Sequence, residues 1–306
     1  MQSDLENVLR STRDSKPVYV PNGGNAGDSF IAHATYQLFA RLDVDFQLGS
    51  LSEAYPGRVV IVGGGGNLVR PYPNIANFLK RNLGQWQQLV ILPHTIRAYE
   101  ETLRQFGPNC TVFCREKPSF DFVASVSPQA SVHLSHDLAL SCDFDETKRG
   151  MANRRSRDLL EPTLLIRNAK RLVRSALHGL MNRGRAQVLN AFRTDVEGTA
   201  GDVPRSNIDL SEAFAADDMS PASSLHATYW TMSFVDRFEI VRTNRLHIGI
   251  MAAMLGKQVE LFDNSYGKVR DVFNHSLHDR FPNVRWQGEL NKELYRAGAG
   301  DDMTKR

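Results

Sequence analysis

Short apolar runs alternate with amphipathic stretches from residue 17 to residue 137. The runs are PVYVP, DFQLG, RVVIVGG, QLVILP, CTVFC and SVHLS. Near-continuous Val, Ile and Leu in such short pieces is the pattern of strands buried on both faces. Between them, Asp28–Leu42 places Phe30, Ile31, Ala34, Leu38 and Leu42 at helical spacing, and Asn74–Leu83, Tyr99–Phe106 and Ser119–Val126 behave alike. Strand and helix in alternation predict a parallel sheet covered on both faces. Residues 186–290 repeat this grammar more loosely, with AQVLNAF, EIVRT, QVELF and NVRWQ as strands and Ala222–Phe238 as the longest helix. The pattern predicts an α/β chain of two Rossmann-like domains, 1–147 and 186–306. Residues 148–185 form a basic linker and amphipathic helix between them.

The stretch Glu239–Lys268 concentrates the chemistry. It predicts a strand (Glu239–Thr243), a polar turn, a helix from about His247 to Leu255, a second strand (Gln258–Asp263) and a second polar turn. Gly256 supplies the helix stop. Residues just after a strand of an α/β unit lie at the carboxyl edge of the sheet, where ligands bind. Arg245 and His247 fall at the first such edge, and Asn264, Tyr266 and Lys268 at the second. Asn244 or the amides of the helix start add an anion site, because those amides lack partners within the helix. Two cations and a histidine are thus expected in one cleft, suited to a small, doubly anionic ligand.

Other loops fall at other strand ends. PNGGNAGDS (Pro21–Ser29) follows the first strand, but Gly23, Gly24 and Gly27 do not make G-x-G-x-x-G, so a dinucleotide reading is weak. Asp28 is expected as the N-cap or first-turn acid of its helix. The four glycines Gly63–Gly66, followed by Asn67, are expected to mark a sharp bend or a close approach to backbone rather than a strand. His94 and Arg115 are placed at strand ends, and His136 and Asp137 close the domain in the same way. FRTDVE alternates Arg193, Asp195 and Glu197 after another strand, as an ion-paired strand end or a cleft contributor. His133 with His136 and His275 with His278 form HxxH pairs without a third ligand at metal spacing, so no metal is expected.

Composition narrows the setting. The chain has 306 residues, 42% of them hydrophobic, enough for two sizeable cores. MQSDLENVLR is too polar for a secretory signal, and no apolar run approaches the length of a membrane span. Cys110, Cys114 and Cys142 are read as reduced structural thiols in a cytoplasmic protein. Net charge is only +3, yet Lys148–Arg185 holds eleven Lys or Arg against Asp158 and Glu161. Within that block, 163–181 places an apolar stripe beside Arg167, Lys170, Arg171 and Arg174. Such a helix docks on its own domain or rests on an anionic membrane surface. Without aromatic interleaving, nucleic acid is not expected as a partner.

Four stretches, GGNAGDSF, VIVGGGGNL, FCREKPS and TNRLHIGIMAAMLGKQVELFDNSYGK, together resemble the polysaccharide pyruvyl transferases, over about residues 18–275. FRTDVE fits the same family's habit. The resemblance implies two Rossmann-like domains facing a cleft, as in GT-B glycosyltransferases. It also implies phosphoenolpyruvate as donor substrate without a cofactor, and a sugar on a polyprenyl-diphosphate-linked oligosaccharide as acceptor. Phosphoenolpyruvate carries a phosphate and a carboxylate, which arginine forks bind bidentately. Arg245 and Arg115 are therefore assigned to these two groups, with Lys268, Asn244 and Tyr266 assisting. His247 is the favoured acid/base and His94 the second candidate. Asn25, Asp28 and Asn67, with Arg193 and Asp195, are assigned to the acceptor. Two alternatives stand beside this reading: a sugar-nucleotide glycosyltransferase on the same architecture, and a non-catalytic glycan-binding component of an assembly complex.

Overall fold

The computed structural model describes residues 2–158, 187–195, 203–204, 206–216, 218–265 and 267–290. The basic stretch 163–181, Glu197 and Tyr266 lie outside them. The chain divides into two compact units, one of residues 1–153 and 215–229, the other of residues 154–214 and 230–306.

The first unit opens with helix α1 (Gln2–Ser11), then β1 (Val18–Val20), α2 (Ala26–Leu42), β2 (Gln47–Leu48), β3 (Val59–Val62) and β4 (Gly65–Leu68). It continues through α3 (Asn74–Arg81), β5 (Gln88–Ile96), α4 (Glu100–Leu103), β6 (Cys110–Cys114), α5 (Lys117–Val126), β7 (Ser131–Leu134) and α6 (Phe144–Asp158). Each of the six apolar runs becomes a strand of one parallel sheet, ordered β2-β1-β3-β5-β6-β7, with β4 added on β5. The chain first steps outward from β1 to β2, then returns to lay β3 on the other side of β1. Loops leaving β1 and β3 therefore diverge at their carboxyl ends, which opens a crevice there. One face of the sheet is filled by Val60, Val62, Leu89, Ile91 and Val112 against Ile75, Phe78 and Leu79 of α3.

The glycine run corrects an expectation. Gly63 and Gly64 make the bend, but Gly65–Leu68 is strand β4, paired with the second half of β5 through Gly65↔His94 and Leu68↔Ile96. The absence of side chains is what permits it. A Cβ on Gly64 would lie 2.7 Å from the carbonyl oxygen of Pro93, and one on Gly65 would lie 2.4 Å from Asn22 Nδ2. Gly65 also holds φ at 146°, a region side chains disfavour. Because β4 prolongs the pairing, β5 runs on to Ile96 and His94 sits inside the strand, not at its end.

The unit boundary also departs from the expected 147/186 division. Residues 215–229 return to the first unit, where Tyr36 Oη donates to the carbonyl of Met219 at 2.5 Å and Ser29 Oγ donates to its sulfur at 3.7 Å. The helix Pro221–Val235 thus begins in one unit, and from Trp230 its residues count with the other.

The second unit holds β8 (Val188–Asn190), β9 (Ile240–Thr243), β10 (Gln258–Phe262) and β11 (Val284–Gly288), all parallel and in sequential order. The helix Leu246–Met254 joins β9 to β10. It packs closely, since a Cβ on Gly249 would meet Leu261 Cδ1 at 2.7 Å. Gly256, at φ 74°, ends the turn that follows it, as its position predicts. Among the described residues, no helix is long and apolar enough to cross a membrane.

Candidate functional site

In the second unit, the loops leaving β8 and β9 are bound to each other. Thr243, the last residue of β9, donates its hydroxyl to the carbonyl of Ala191 at 2.6 Å. Asn244 accepts the amide of Arg193 on its Oδ1 at 2.9 Å, and the same hydroxyl of Thr243 accepts the amide of Arg245 at 3.0 Å. Asn244 is buried, so its side chain spans the two loops.

That clamp sets two arginines side by side. Arg193 makes a fork onto Asp195, Nε to Oδ1 at 2.7 Å and an Nη to Oδ2 at 2.9 Å. Arg245 donates through one terminal nitrogen to Asp195 at 3.1 Å and to Asp209 at 2.5 Å. Asp209 in turn accepts the amide of Thr194 at 3.1 Å. Only 5% of Arg245 is exposed, and its Nε has no acceptor among the described residues. A buried guanidinium N–H without a partner costs desolvation energy, so this is a position where an anionic oxygen is favoured.

Arg245 is also the N-cap of the helix Leu246–Met254 and gives it no side-chain cap. The helix start therefore adds the partial positive charge of its amides to the same place. His247 is the second residue of that helix and is half-buried. At the end of β10, Asp263 Oδ1 accepts the amides of Asn264 and Arg270, at 2.9 and 3.3 Å. Asn264 Oδ1 accepts the amide of Lys268 at 3.0 Å, while its buried Nδ2 has no acceptor among the described residues. Burial raises the Asp263 carboxyl above its ordinary range. The second unit thus assembles Arg193, Asp195, Asn244, Arg245 and His247 along two adjacent strand ends, with Lys268 on the third.

In the first unit, Asn25 is the N-cap of α2. Its Oδ1 accepts the amide of Gly27 at 2.8 Å, and Asp28 returns the favour by accepting the amide of Asn25 at 2.9 Å. This is a capping box, so both side chains secure the start of the helix. Asn22 links the two glycine loops. It donates to Asp28 Oδ1 at 3.3 Å and accepts from Asn67 Nδ2 at 2.9 Å. His94 is fully buried beneath them. Its Nε2 accepts the amide of Asn67 at 3.0 Å, so the ring proton is on Nδ1, which faces the carbonyl of Gly63 at 3.3 Å.

Arg115, expected as a ligand for phosphate or carboxylate, has no exposed surface. It donates to Asp137 at 2.7 Å and to Thr95 Oγ1 at 2.9 Å, and Asp137 also accepts the amide of Ala139 at 2.9 Å. Its neighbour Glu116 caps α5 by accepting the amide of Ser119 at 2.7 Å. The REKPS stretch is therefore a buried ion pair followed by a helix cap. The three cysteines are buried and free, and burial pushes their thiols up, Cys142 to about 12. That suits inert packing.

Asp209 and Asn22 are among the network residues that the sequence did not single out. Asp209 stands fourteen positions past Asp195 with no motif around it, and only the fold brings it to Arg245. Asn22, however, directly follows Pro21 at the end of β1, where the carboxyl-edge rule applies.

A family model described as "Polysaccharide pyruvyl transferase" matches residues 25–266. A Bacillus subtilis (strain 168) protein described as "Putative pyruvyl transferase EpsO" is 24% identical over 304 aligned positions, covering 89% of this chain and 88% of its own. A crystal structure of a functionally uncharacterised protein from Klebsiella pneumoniae aligns with a TM-score of 0.74 at 28% identity, covering 94% of this chain and 98% of that one.

Proposed function

This chain belongs to the polysaccharide pyruvyl transferase family, and from that premise we propose that phosphoenolpyruvate is its donor and a sugar of a polyprenyl-diphosphate-linked oligosaccharide its acceptor. The observation that carries the donor assignment is Arg245. It is buried at the carboxyl edge of the four-stranded sheet, beside a helix start, with an Nε that lacks an acceptor among the described residues. Phosphate or carboxylate oxygens satisfy that donor, and the fixed ion pairs to Asp195 and Asp209 hold the fork in place beforehand. Lys268 and Asn244 are assigned to assist it, and Tyr266, singled out by the sequence alone, is assigned with them.

Forming a ketal consumes two hydroxyls. The vinyl C3 gains a proton, one sugar oxygen bonds to C2, the C2–O bond to phosphate breaks, and the second oxygen then bonds to C2. Of the two hydroxyl protons, the balance leaves one on C3 and one on the released phosphate. His247, half-buried two residues after Arg245, is assigned as the group that moves these protons. Arg115 and His94, enclosed by their partners, are assigned positioning roles. Asn25, Asp28 and Asn67 are assigned to the acceptor from the first unit. The basic stretch 163–181 is assigned to an anionic membrane surface. Unchanged sedimentation with anionic liposomes after neutralising Arg167, Lys170, Arg171 and Arg174 overturns that last assignment.

The test of the main reading is phosphate release from phosphoenolpyruvate in the presence of lipid-linked saccharides. Arg245→Ala and His247→Ala are expected to abolish it. Near-normal turnover in either variant overturns that residue's role. A melting temperature raised by a nucleotide sugar but not by phosphoenolpyruvate overturns the donor.

A further inference from the structure

The carboxylate of Asp209 uses its two oxygens unequally. Oδ2 collects three bonds: the amide of Thr194 at 3.1 Å, the Thr194 hydroxyl at 3.3 Å and a terminal nitrogen of Arg245 at 2.5 Å. Oδ1 is buried and has no partner among the described residues. Arg245 Nε is its counterpart, a buried donor without an acceptor. An unused acceptor and an unused donor thus sit on two side chains that are bonded to each other. Neither side chain is free to swing. Ile208 donates its amide to the carbonyl of Asn190 at 3.0 Å, and Asn207 bonds both the amide and the carbonyl of Phe192, at 2.7 and 3.0 Å. These bonds tie the segment before Asp209 to the end of β8.

A bare dianion satisfies only half of this pair. Its oxygens accept from Arg245 Nε, but against Asp209 Oδ1 they set lone pair against lone pair in a place shielded from water. A hydrogen phosphate group satisfies both, with an anionic oxygen for the guanidinium and an O–H for the carboxylate. We propose that the second unit holds its tetrahedral anion in a protonated form, with Asp209 Oδ1 accepting from a P–O–H while Arg245 Nε donates to another oxygen of the same phosphate. The proposal rests on the pyruvyl-transfer reading above and makes Asp209 a specificity-determining ligand of the donor phosphate. The proton balance is kept. A donor that enters as the hydrogen phosphate ester leaves as dihydrogen phosphate, because one sugar-hydroxyl proton goes to C3 and the other joins the phosphate as its bond to C2 breaks.

Inorganic phosphate and sulfate separate this kind of recognition from charge alone. Both are tetrahedral anions of nearly equal size, but at neutral pH phosphate carries at least one proton and sulfate carries none. The full-length protein and Asp209→Asn are titrated with each ion at matched ionic strength by calorimetry. The melting-temperature shift with phosphoenolpyruvate is read in parallel. The parent is expected to bind phosphate at least about tenfold more tightly than sulfate, the difference one charge-assisted hydrogen bond makes. Asp209→Asn keeps an acceptor for Thr194 and Arg245 and places an amide donor where the unused oxygen stood. Sulfate is therefore expected to bind this variant as tightly as phosphate does. Equal affinities of the parent for the two ions, or no phosphate binding, overturn the proposal, and that comparison needs no variant to fold. A preference for phosphate that persists undiminished in folded Asp209→Asn overturns it as well. Equal ion affinities together with a full phosphoenolpyruvate shift overturn this proposal and leave the donor assignment standing. A phosphate preference lost in Asp209→Asn, with no phosphoenolpyruvate shift in the parent, overturns the donor assignment and leaves the role of Asp209 standing.

Discussion

Asn67 donates its backbone amide to Nε2 of His94 at 3.0 Å, and that bond fastens the glycine strand β4 to the middle of β5. The imidazole is thereby committed as an acceptor on one side and faces the Gly63 carbonyl on the other. Removing it leaves the partly buried amide of Asn67 without that acceptor. His94→Ala is expected to lower stability by about 2–4 kcal/mol, the sum of an unsatisfied donor and a side-chain cavity. Urea unfolding measures this. A loss of turnover without a loss of stability would instead identify His94 as a proton-transfer group.

Arg245 ties two carboxylates, so its removal acts on stability as well as on binding. Arg245→Ala takes the arginine from Asp209, whose side chain is only 10% exposed and keeps just the bonds from Thr194, a cost of up to about 3–5 kcal/mol for breaking a largely buried pair from one side. Arg245→Lys keeps the charge but not the fork. The lysine variant is expected to fold nearly as well as the parent while losing the melting-temperature shift with phosphoenolpyruvate. A full shift in the lysine variant would show that charge alone suffices at this position.

Local sequence foretold the parts of this chain whose cause is local. The six apolar runs of the first unit are strands because Val, Ile and Leu in short blocks fit a sheet covered on both faces, and the Arg-Leu-His turn lies at the carboxyl edge because β9 and its helix are both plain in the pattern. What escaped is tertiary. Nothing near Gly65 announces that Asn22 leaves no room for a side chain there, so a strand of glycines could not be foreseen. The partner of Arg245 at Asp209 and the return of residues 215–229 to the first unit likewise depend on contacts between distant segments. Arg115 is the instructive case, since a strand-end arginine serves a ligand or a buried carboxylate equally well until Asp137 is located.

The Arg115–Asp137 pair is fully buried and bonded at 2.7 Å. Its Coulombic gain is offset by the desolvation of both ions, so breaking one side is worse than replacing both. Asp137→Ala is expected to cost about 3–5 kcal/mol. The double variant Arg115→Met, Asp137→Leu is expected to recover much of it. Thermal unfolding of the two variants and the parent completes the comparison. A double variant as unstable as the single one would mean that Thr95 and the amide of Ala139 depend on this pair more than its charges do.

His33 links α2 to α6, and the acidity of that contact sets a pH limit on the fold. Its Nε2 lies 2.9 Å from Thr147 Oγ1, whose own proton goes to the carbonyl of Asp143 at 2.7 Å. The imidazole therefore donates and stays neutral, and burial depresses its pKa from 6.5 to about 4. The unfolded chain takes up a proton near the ordinary value while the folded chain resists, so acid favours unfolding. The contribution is fully present above the unfolded pKa and is lost as pH falls toward 4. Between pH 7 and pH 5 the linkage amounts to about 2 kcal/mol. Chemical denaturation of the parent at these two pH values is expected to show that loss, and His33→Gln, which keeps a donor but cannot titrate, is expected to lack it. If the variant's stability falls by the same amount, the titration belongs to another group.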